Sequence, residues 1–276
     1  MTRTSNIYFI EKAREVSKSM GINLTVLEPH QLDLPLENFM QLNPGKLPDP
    51  SQTIFWNRVA GTSYNDYDQL IAKNWQALGA TLLNELSVHH CYRDKYHQFL
   101  HLRSINAPLI PTYYLPNQNV DMIESDGPYV AKTLRGAKGK GVVKLENKSA
   151  LNDFLTLTSS MGDSRFIIQP FIDYQNEHRL LILQGEVIGH FIKRNSTAHW
   201  KHNLSNAKWE LCTDTTPEML NIVEKVNALE KKFFYAIDFI SKNDNLTILE
   251  VNICPGIEGP DAILKDSILT KVLSVV

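Results

Sequence analysis

Three oxygen-bearing side chains near the C-terminus have the types and spacing to hold a hard cation. Glu250 and Asn252 are two apart in Leu249-Glu250-Val251-Asn252, just ahead of Pro255-Gly256, and residues two apart on a strand face the same side. Asp238 lies in Tyr235-Ala236-Ile237-Asp238-Phe239-Ile240, an apolar strand that would ordinarily exclude charge. The polar segment Ser241 to Asn245 reads as a hairpin turn, and a turn that sets Lys242 opposite Leu246 brings Asp238 opposite Glu250. Two carboxylates facing each other across strands repel. A cation is therefore expected between them, and an oxygen set of Asp, Glu and Asn suits Mg²⁺. The alternative for this segment alone is a solvent-facing polar stripe on an edge hairpin.

A second segment with chemistry lies upstream. Tyr129-Val130-Ala131-Lys132 reads as a strand, Thr133-Leu134-Arg135-Gly136-Ala137-Lys138-Gly139-Lys140-Gly141 as a loop, and Val142-Val143-Lys144-Leu145 as a returning strand. Glycines between two strands let backbone N–H groups close over phosphate oxygens, and lysines add positive charge. The glycine spacing is not that of a P-loop, and a strand follows where a P-loop or dinucleotide fingerprint requires a helix. Alone, the loop is equally a flexible Gly/Lys hairpin; together with Asp238, Glu250 and Asn252 it points to a Mg-nucleotide site.

In the order and spacing of these pieces the chain resembles the ATP-grasp superfamily, and within it the RimK-type carboxylate–amine ligases. The resemblance runs from Ile54 to Asp261. It is carried by Glu250-Val251-Asn252-Ile253-Cys254-Pro255-Gly256-Ile257-Glu258-Gly259, Ala236-Ile237-Asp238, Leu83-Asn84-Glu85, Arg93-Asp94-Lys95, Lys132 with its glycine loop, and Gln169-Pro170-Phe171-Ile172. It implies an α/β (α+β) ATP-grasp fold, with the nucleotide between two α+β subdomains and a small parallel α/β domain ahead of them. It also implies a reaction: ATP phosphorylates a carboxylate, and an amine attacks the acylphosphate to give an amide, ADP and phosphate.

Roles follow from the same resemblance. Lys95 and Lys132 match the lysines that hold ATP phosphates, with backbone amides of Gly136, Gly139 and Gly141 and the Lys138 side chain over them. Gln169, Pro170, Phe171 and Ile172 match the hinge that pairs with adenine. Pro170 replaces the usual Glu and removes one N–H, leaving the Phe171 N–H and neighbouring carbonyls for the base. Glu177 matches a ribose-binding carboxylate, and Arg179 the group beside the transferred phosphoryl, where a planar guanidinium neutralises spread charge. Lys193, Arg194 and Asn203 fall where relatives place further ATP and substrate contacts, within a polar stretch reaching Lys208. Arg58 is placed to hold a substrate carboxylate. The resemblance implies two Mg²⁺ ions on Asp238, Glu250 and Asn252, with Mn²⁺ as a substitute. Relatives add glutamate to a protein tail or small acid, while others use different pairs. A phosphotransferase on a non-carboxylate acceptor, or an ATP-binding regulatory protein without turnover, are the competing readings.

The elements that must position these residues fall into three segments. Residues 1–88 alternate helix (Glu11 to Met20), strand (Leu24 to Leu27), strand (Ser51 to Trp56) and a helix capped by Asp66 and running from Tyr67 to Leu78, as a small parallel sheet does. The family's first strand is missing or very short here. Residues 89–165 carry one helix from Cys91 to Ile105, strands at Ile110 to Leu115, Tyr129 to Leu134 and Val142 to Glu146, and a helix from Ser149 to Thr158, a lid-like unit. Residues 166–276 hold the strand Phe166 to Gln169, the hairpin of Leu180–Leu183 and Val187–Ile192, a helix started by Thr216-Pro217, and the acidic strands.

Composition excludes other classes. With 43% hydrophobic and 21% charged residues in 276 the chain is an ordinary globular protein. A net charge of −2 argues against general binding to nucleic acid or anionic membrane. No apolar run reaches membrane-spanning length, no signal-peptide core follows Met1, and Cys91, Cys212 and Cys254 form no disulfide framework. A cytoplasmic setting fits; whether the chain forms a homo-oligomer is left open. His89, His90, Cys91, His97 and His101 lie close together, but without a second ligand pair they read as helix-surface and capping residues rather than a zinc site.

Overall fold

The computed structural model describes residues 7–29, 32, 47–59, 66–136, 139–162, 165–174, 176–194, 208–229, 233–242 and 245–276. Three sheets organise them. The first is a parallel pair, β1 (Ile54–Trp56) and β2 (Thr81–Leu83), joined through α2 (Tyr67–Ala77). Trp75, Ile71 and Ala80 are buried beneath it, and Gly79 ends the helix at φ +100. Leu24 to Leu27, expected as a strand, forms none, and residues 1–6, where the family's first strand would fall, lie outside the described set. Helix α1 (Ile7–Met20) does not join this pair. Its Ala13 and Val16 pack with Leu181, Leu183 and Phe191 of the large sheet.

The central sheet has the order β4-β3-β5, all antiparallel: β3 (Tyr129–Thr133), β4 (Val142–Leu145) and β5 (Phe166–Pro170). Helix α5 (Lys148–Ser160) covers it through Leu151 and Leu155. Strand β5 was expected in the C-terminal segment; its pairing with β3 puts it in the central sheet. Ile110 to Leu115 makes no strand, only isolated bridges between Tyr113 and Ile168 and, just ahead of it, between Leu109 and Ile248.

The large sheet runs β10-β9-β6-β7-β8, with β6 (Asn176–Leu183), β7 (Glu186–Arg194), β8 (Lys208–Leu211), β9 (Phe234–Lys242) and β10 (Asn245–Asn252). One face, through Leu180, Ile182, Ile237 and Phe239, packs on α3 (Leu86–Arg93), α4 (Lys95–Ser104) and α6 (Pro217–Leu229). The single helix expected over Cys91 to Ile105 is thus two. Asp94 breaks it and caps α4, accepting from the N–H groups of Tyr96 and His97 at 2.9 and 3.1 Å. On the other face, α1 and α8 (Ile268–Leu273) cover one end through Leu181, Leu183, Phe234 and Ala236; the other end carries charged residues, among them buried Glu177, Lys193 and Asp238. Among the described residues no helix is long and apolar enough to cross a membrane.

Candidate functional site

The charged end of the large sheet is a product of strand alternation. Glu177 and Arg179 share the face of Leu181 and Leu183, and Asp238 shares the face of Phe234 and Ala236. Cross-strand pairing then lines up Glu250, Asp238, Arg179 and Phe191 in one row, with Ile240, Glu177, Lys193 and Trp209 in the next. Glu250 does stand opposite Asp238, but by a different route from the one expected. The turn pairs Lys242 with Asn245, not Leu246, a register that alone would set Asp238 against Leu249. A bulge between Ile248 and Glu250 adds one residue and restores the facing pair. It also switches parity: Leu246 and Ile248 point into the core before it, Val251 and Ile253 after it, so Glu250 and Asn252 turn to the charged face.

Asp238 is buried, and its two oxygens accept from Arg179 Nε and Nη2 at 2.6 and 2.7 Å. Burial pulls the Arg179 pKa down, but the Asp238 carboxylate outweighs it and holds it above its ordinary value. The cation beside Asp238 here is therefore a guanidinium. Each Asp238 oxygen keeps a lone pair, Glu250 adds a second carboxylate, and Asn252 Oδ1 accepts from the Cys254 N–H at 3.0 Å with a lone pair to spare. An all-oxygen donor set of this kind fits Mg²⁺.

Two side chains to which the sequence reading gave no role fix this strand pair. Strand β10 is an edge, and the buried Gln98 amide acts as its missing neighbour, donating to Val251 O at 2.8 Å and accepting from Val251 N at 2.9 Å. Val251 sits between Glu250 and Asn252. At the far end Asn84, at φ +61, donates to Phe234 O and Ile253 O and accepts from Phe233 N. A Gln on the inward face of a helix was the available signal for the first; the second lies in the run Leu83-Asn84-Glu85 that carries part of the resemblance.

A narrow cleft is lined by Lys95, Thr112, Lys132 and Gln169 together with Leu249 and Glu250 of β10. Burial lowers the Lys132 pKa to about 8, opposed by Glu250 and reinforced by Lys95. Lys95 Nζ donates to Gly136 O at 3.2 Å, and its own N–H to Leu134 O at 2.9 Å, so the lysine grips the foot of the glycine loop. The other foot is Gly141 at φ +71, where a Cβ would collide with Thr133. Lys138 lies outside the described residues, as does Asn203. Buried Gln169 donates to Thr112 Oγ1 at 2.8 Å, while its Oε1 has no partner among the described residues. An unpaired buried acceptor in the cleft fits a ligand carrying an N–H, as adenine does. The cavity between these walls is about 30 Å³, roughly the room of one water, so a nucleotide enters only if the sheets part.

Other expected residues are placed differently. Phe171 N–H, expected to serve the base, donates instead to Pro128 O at 2.8 Å. Pro170 ends β5 opposite Tyr129. The Glu177 carboxylate is buried and turned inward to Lys193 Nζ at 3.2 Å and Tyr174 Oη at 3.3 Å, where burial and Glu177 together raise the tyrosine pKa. Arg194, one residue on from Lys193, points to the opposite side and pairs with Glu210 at 2.8 Å, away from the charged face. Arg58 lies against Phe9 and Trp56 and donates to Pro255 O at 2.7 Å, bordering the loop that follows β10. His89 is fully buried instead of lying on the helix surface, whereas His90, Cys91, His97 and His101 line one surface depression.

Comparison with known proteins bears on this arrangement. A family model described as the RimK-like ATP-grasp domain matches residues 93–276. A ribosomal protein bS6–L-glutamate ligase of Shigella flexneri serotype 5b is 24% identical over 274 residues, covering 94% of this chain and 88% of its own. The ATP-grasp ligase PsnB, solved with a phosphomimetic variant of its minimal precursor, Mg and ADP, superposes with a TM-score of 0.72 at 12% identity, over 99% of this chain and 95% of its own. A RimK domain ATP-grasp protein from Sphaerobacter thermophilus gives 0.68 at 17% identity, over 91% and 89%.

Proposed function

From the premise that this chain belongs to the RimK-like ATP-grasp family and is an ATP- and Mg²⁺-dependent ligase joining a carboxylate to an amine, we propose that it couples an amino acid, glutamate first among candidates, to a carboxylate of a peptide or protein tail. The observation that carries this reading is Glu250 sharing one cleft with Lys95, Lys132 and Gln169 while standing in a cross-strand row with Asp238 and Arg179. The relatives named for bS6 and for a precursor peptide support a peptide acceptor.

In this reading Gln169 Oε1 and the hinge backbone orient the base. Lys95 and Lys132 hold phosphate oxygens, and Lys95 must leave Gly136 to do so. Arg179, kept charged and planar by Asp238, stabilises the phosphoryl group as it moves to the acceptor carboxylate. Asp238, Glu250 and Asn252 hold two Mg²⁺ ions, with Mn²⁺ able to substitute; bound metal supplies neutralisation of charge on the phosphate oxygens. The glycine loop, residues 135–141, closes over the acylphosphate and excludes water until the amine attacks. Arg58, beside Pro255, holds the carboxylate of the incoming substrate. Segments 1–88, 89–165 and 166–276 act as an N-terminal domain, a lid and a metal-bearing subdomain, with β5 and helices α3 and α4 exchanged across those boundaries. Cys91, Cys212 and Cys254 form no disulfide among the described residues, which supports a reducing, cytoplasmic setting.

The test is a screen of amino acids against peptides and ribosomal-protein tails with Mg-ATP, following phosphate release and product mass. ADP formation matched by an acceptor heavier by one amino-acid residue is expected. An acid-stable phosphoester with no amide product would overturn the reading.

A further inference from the structure

Trp209 stands where no motif of the sequence accounts for it. It lies on edge strand β8, opposite Lys193, and its ring faces the charged end of the large sheet. The Arg179 guanidinium carbon is 5.3 Å from the centre of the indole, and Lys193 Nζ is 5.9 Å from it. Phe191, the cross-strand neighbour of Arg179, meets the indole edge-on at 6.4 Å. Arg179 is thus held by two different forces: the Asp238 carboxylate fixes Nε and Nη2 in the guanidinium plane, while the indole face attracts the cation from Trp209. The ring lies against Gly259. Its Nε1, Cδ1 and Cε2 occupy the space that a Cβ on Gly259 would take. Gly259 belongs to α7 (Glu258–Asp261), directly after the Pro255-Gly256 turn.

We propose that Trp209 is a positioning residue for the ligase reaction: it sets the orientation of Arg179 at the phosphoryl group, and Gly259 supplies the gap that lets it do so. The proposal rests on the role given above to Arg179. It ties three separate segments, β6, β8 and the turn after β10, into one support for that guanidinium. An arginine held by the carboxylate alone could pivot about its two hydrogen bonds; the ring removes that freedom. Catalysis is sensitive to such placement because an interaction made only in the transition state affects kcat and leaves ground-state binding alone.

The experiment uses the full-length protein, with initial rates at varied Mg-ATP on the substrate pair found in the screen above. Trp209→Ala should lower kcat by about tenfold, the scale of removing one cation–π interaction from a desolvated site, with KM for ATP unchanged. Trp209→Phe, which keeps an aromatic face, should recover most of the rate. Gly259→Ala should reproduce the loss by displacing the indole, and should add nothing in a Trp209→Ala background. Unchanged kcat in Trp209→Ala, or losses from the two sites that simply multiply, would overturn the proposal. Misfolding of Trp209→Ala leaves the decision with Trp209→Phe and Gly259→Ala. If the wild-type protein turns over no substrate pair, the ligase reading fails separately. Tryptophan emission then decides: Gly259→Ala and Arg179→Lys must each shift it in the wild type, and neither must do so once Trp209 is Phe.

Discussion

On the large-sheet wall, Asp238 and Arg179 meet inside the protein, with side chains 2% and 12% exposed. On the central-sheet wall, the foot of the glycine loop is tied by Arg135, which donates to Asp66 at 2.6 and 3.3 Å, with side chains 11% and 38% exposed. Both are bidentate arginine–carboxylate pairs, and their surroundings make them behave differently. A desolvated pair cannot trade its partner for water, so it is fixed for as long as the sheet is folded. A half-exposed pair can, and its net contribution is small. Asp66 also occupies the N-cap position of α2 yet makes no capping bond there; its oxygens go to Arg135, Arg93 and Gln69 instead. Burial pushes the Asp66 pKa up, but hydrogen bonding and charge from Arg135 and Arg93 bring it below its ordinary value. The large-sheet wall is a rigid reference, and the glycine-loop wall is a latch.

The widest separation between the walls should come from chemistry. Glu250→Ala removes a carboxylate from the rigid wall without touching the core, and should cut Mg-dependent turnover by about a thousandfold or more while thermal unfolding stays near wild type. Wild-type turnover with wild-type Mg dependence in that variant would sink the metal site.

Stability comes next. Asp238→Ala strands a buried guanidinium and should cost about 3 to 5 kcal/mol, against less than about 1 kcal/mol for Asp66→Ala on the latch. Urea unfolding of the two variants side by side gives the ratio directly. Equal losses would erase the distinction between a fixed and a releasable pair.

Acid should act on the latch side through His89. This residue is buried beside Arg93, the arginine that also holds Asp68 and reaches Asp66. Burial, reinforced by Arg93, lowers its pKa to about 4. The unfolded chain therefore binds a proton at His89 that the folded one does not, over the range from about 6.5 down to about 4. That contribution is fully present above the unfolded value and is lost as pH falls through the window, up to roughly 3 kcal/mol in all. His190, held at about 4 by burial and by His178, titrates in the same direction. His89→Leu should consequently flatten part of the pH dependence of unfolding between pH 4 and 6.5, and an unchanged slope would mean that His89 is not buried neutral.

The smallest effect is dynamic. Asp66→Ala should speed amide exchange across Leu134 to Gly136 in the free protein, because the loop loses a tether worth less than about 1 kcal/mol. Mg-ATP should slow exchange across the loop, and adenosine, which has no phosphate, should slow it far less. Equal protection by both ligands would show that the loop does not read phosphates.

What the sequence determined by itself is what local pattern can encode. Alternation put Asp238, Glu250 and Asn252 on strands; glycine spacing marked residues 135–141 as a loop; Thr216-Pro217 started a helix, with Thr216 Oγ1 accepting from Met219 N. With the family resemblance these yielded the ATP-grasp fold and the ligase chemistry. The split at Asp94 was legible too, since an Asp ahead of Lys-Tyr-His is a capping signal, but the surrounding helical periodicity masked it. Tertiary structure decided the rest, because it depended on which distant segments meet. Leu24 to Leu27 has strand composition and forms no strand. The bulge beside Leu249 sets which way Glu250 faces, and a one-residue change of register is invisible to a pattern of period two. The Phe171 N–H was spent on Pro128, and Glu177 turned inward to Lys193, only once β3, β5, β6 and β7 had come together. Arg135 with Asp66, Gln98 with Val251, and Trp209 with Arg179 join residues far apart in the chain. Side-chain contacts over such separations leave no periodic trace in sequence; they exist only where folding has closed the intervening loops.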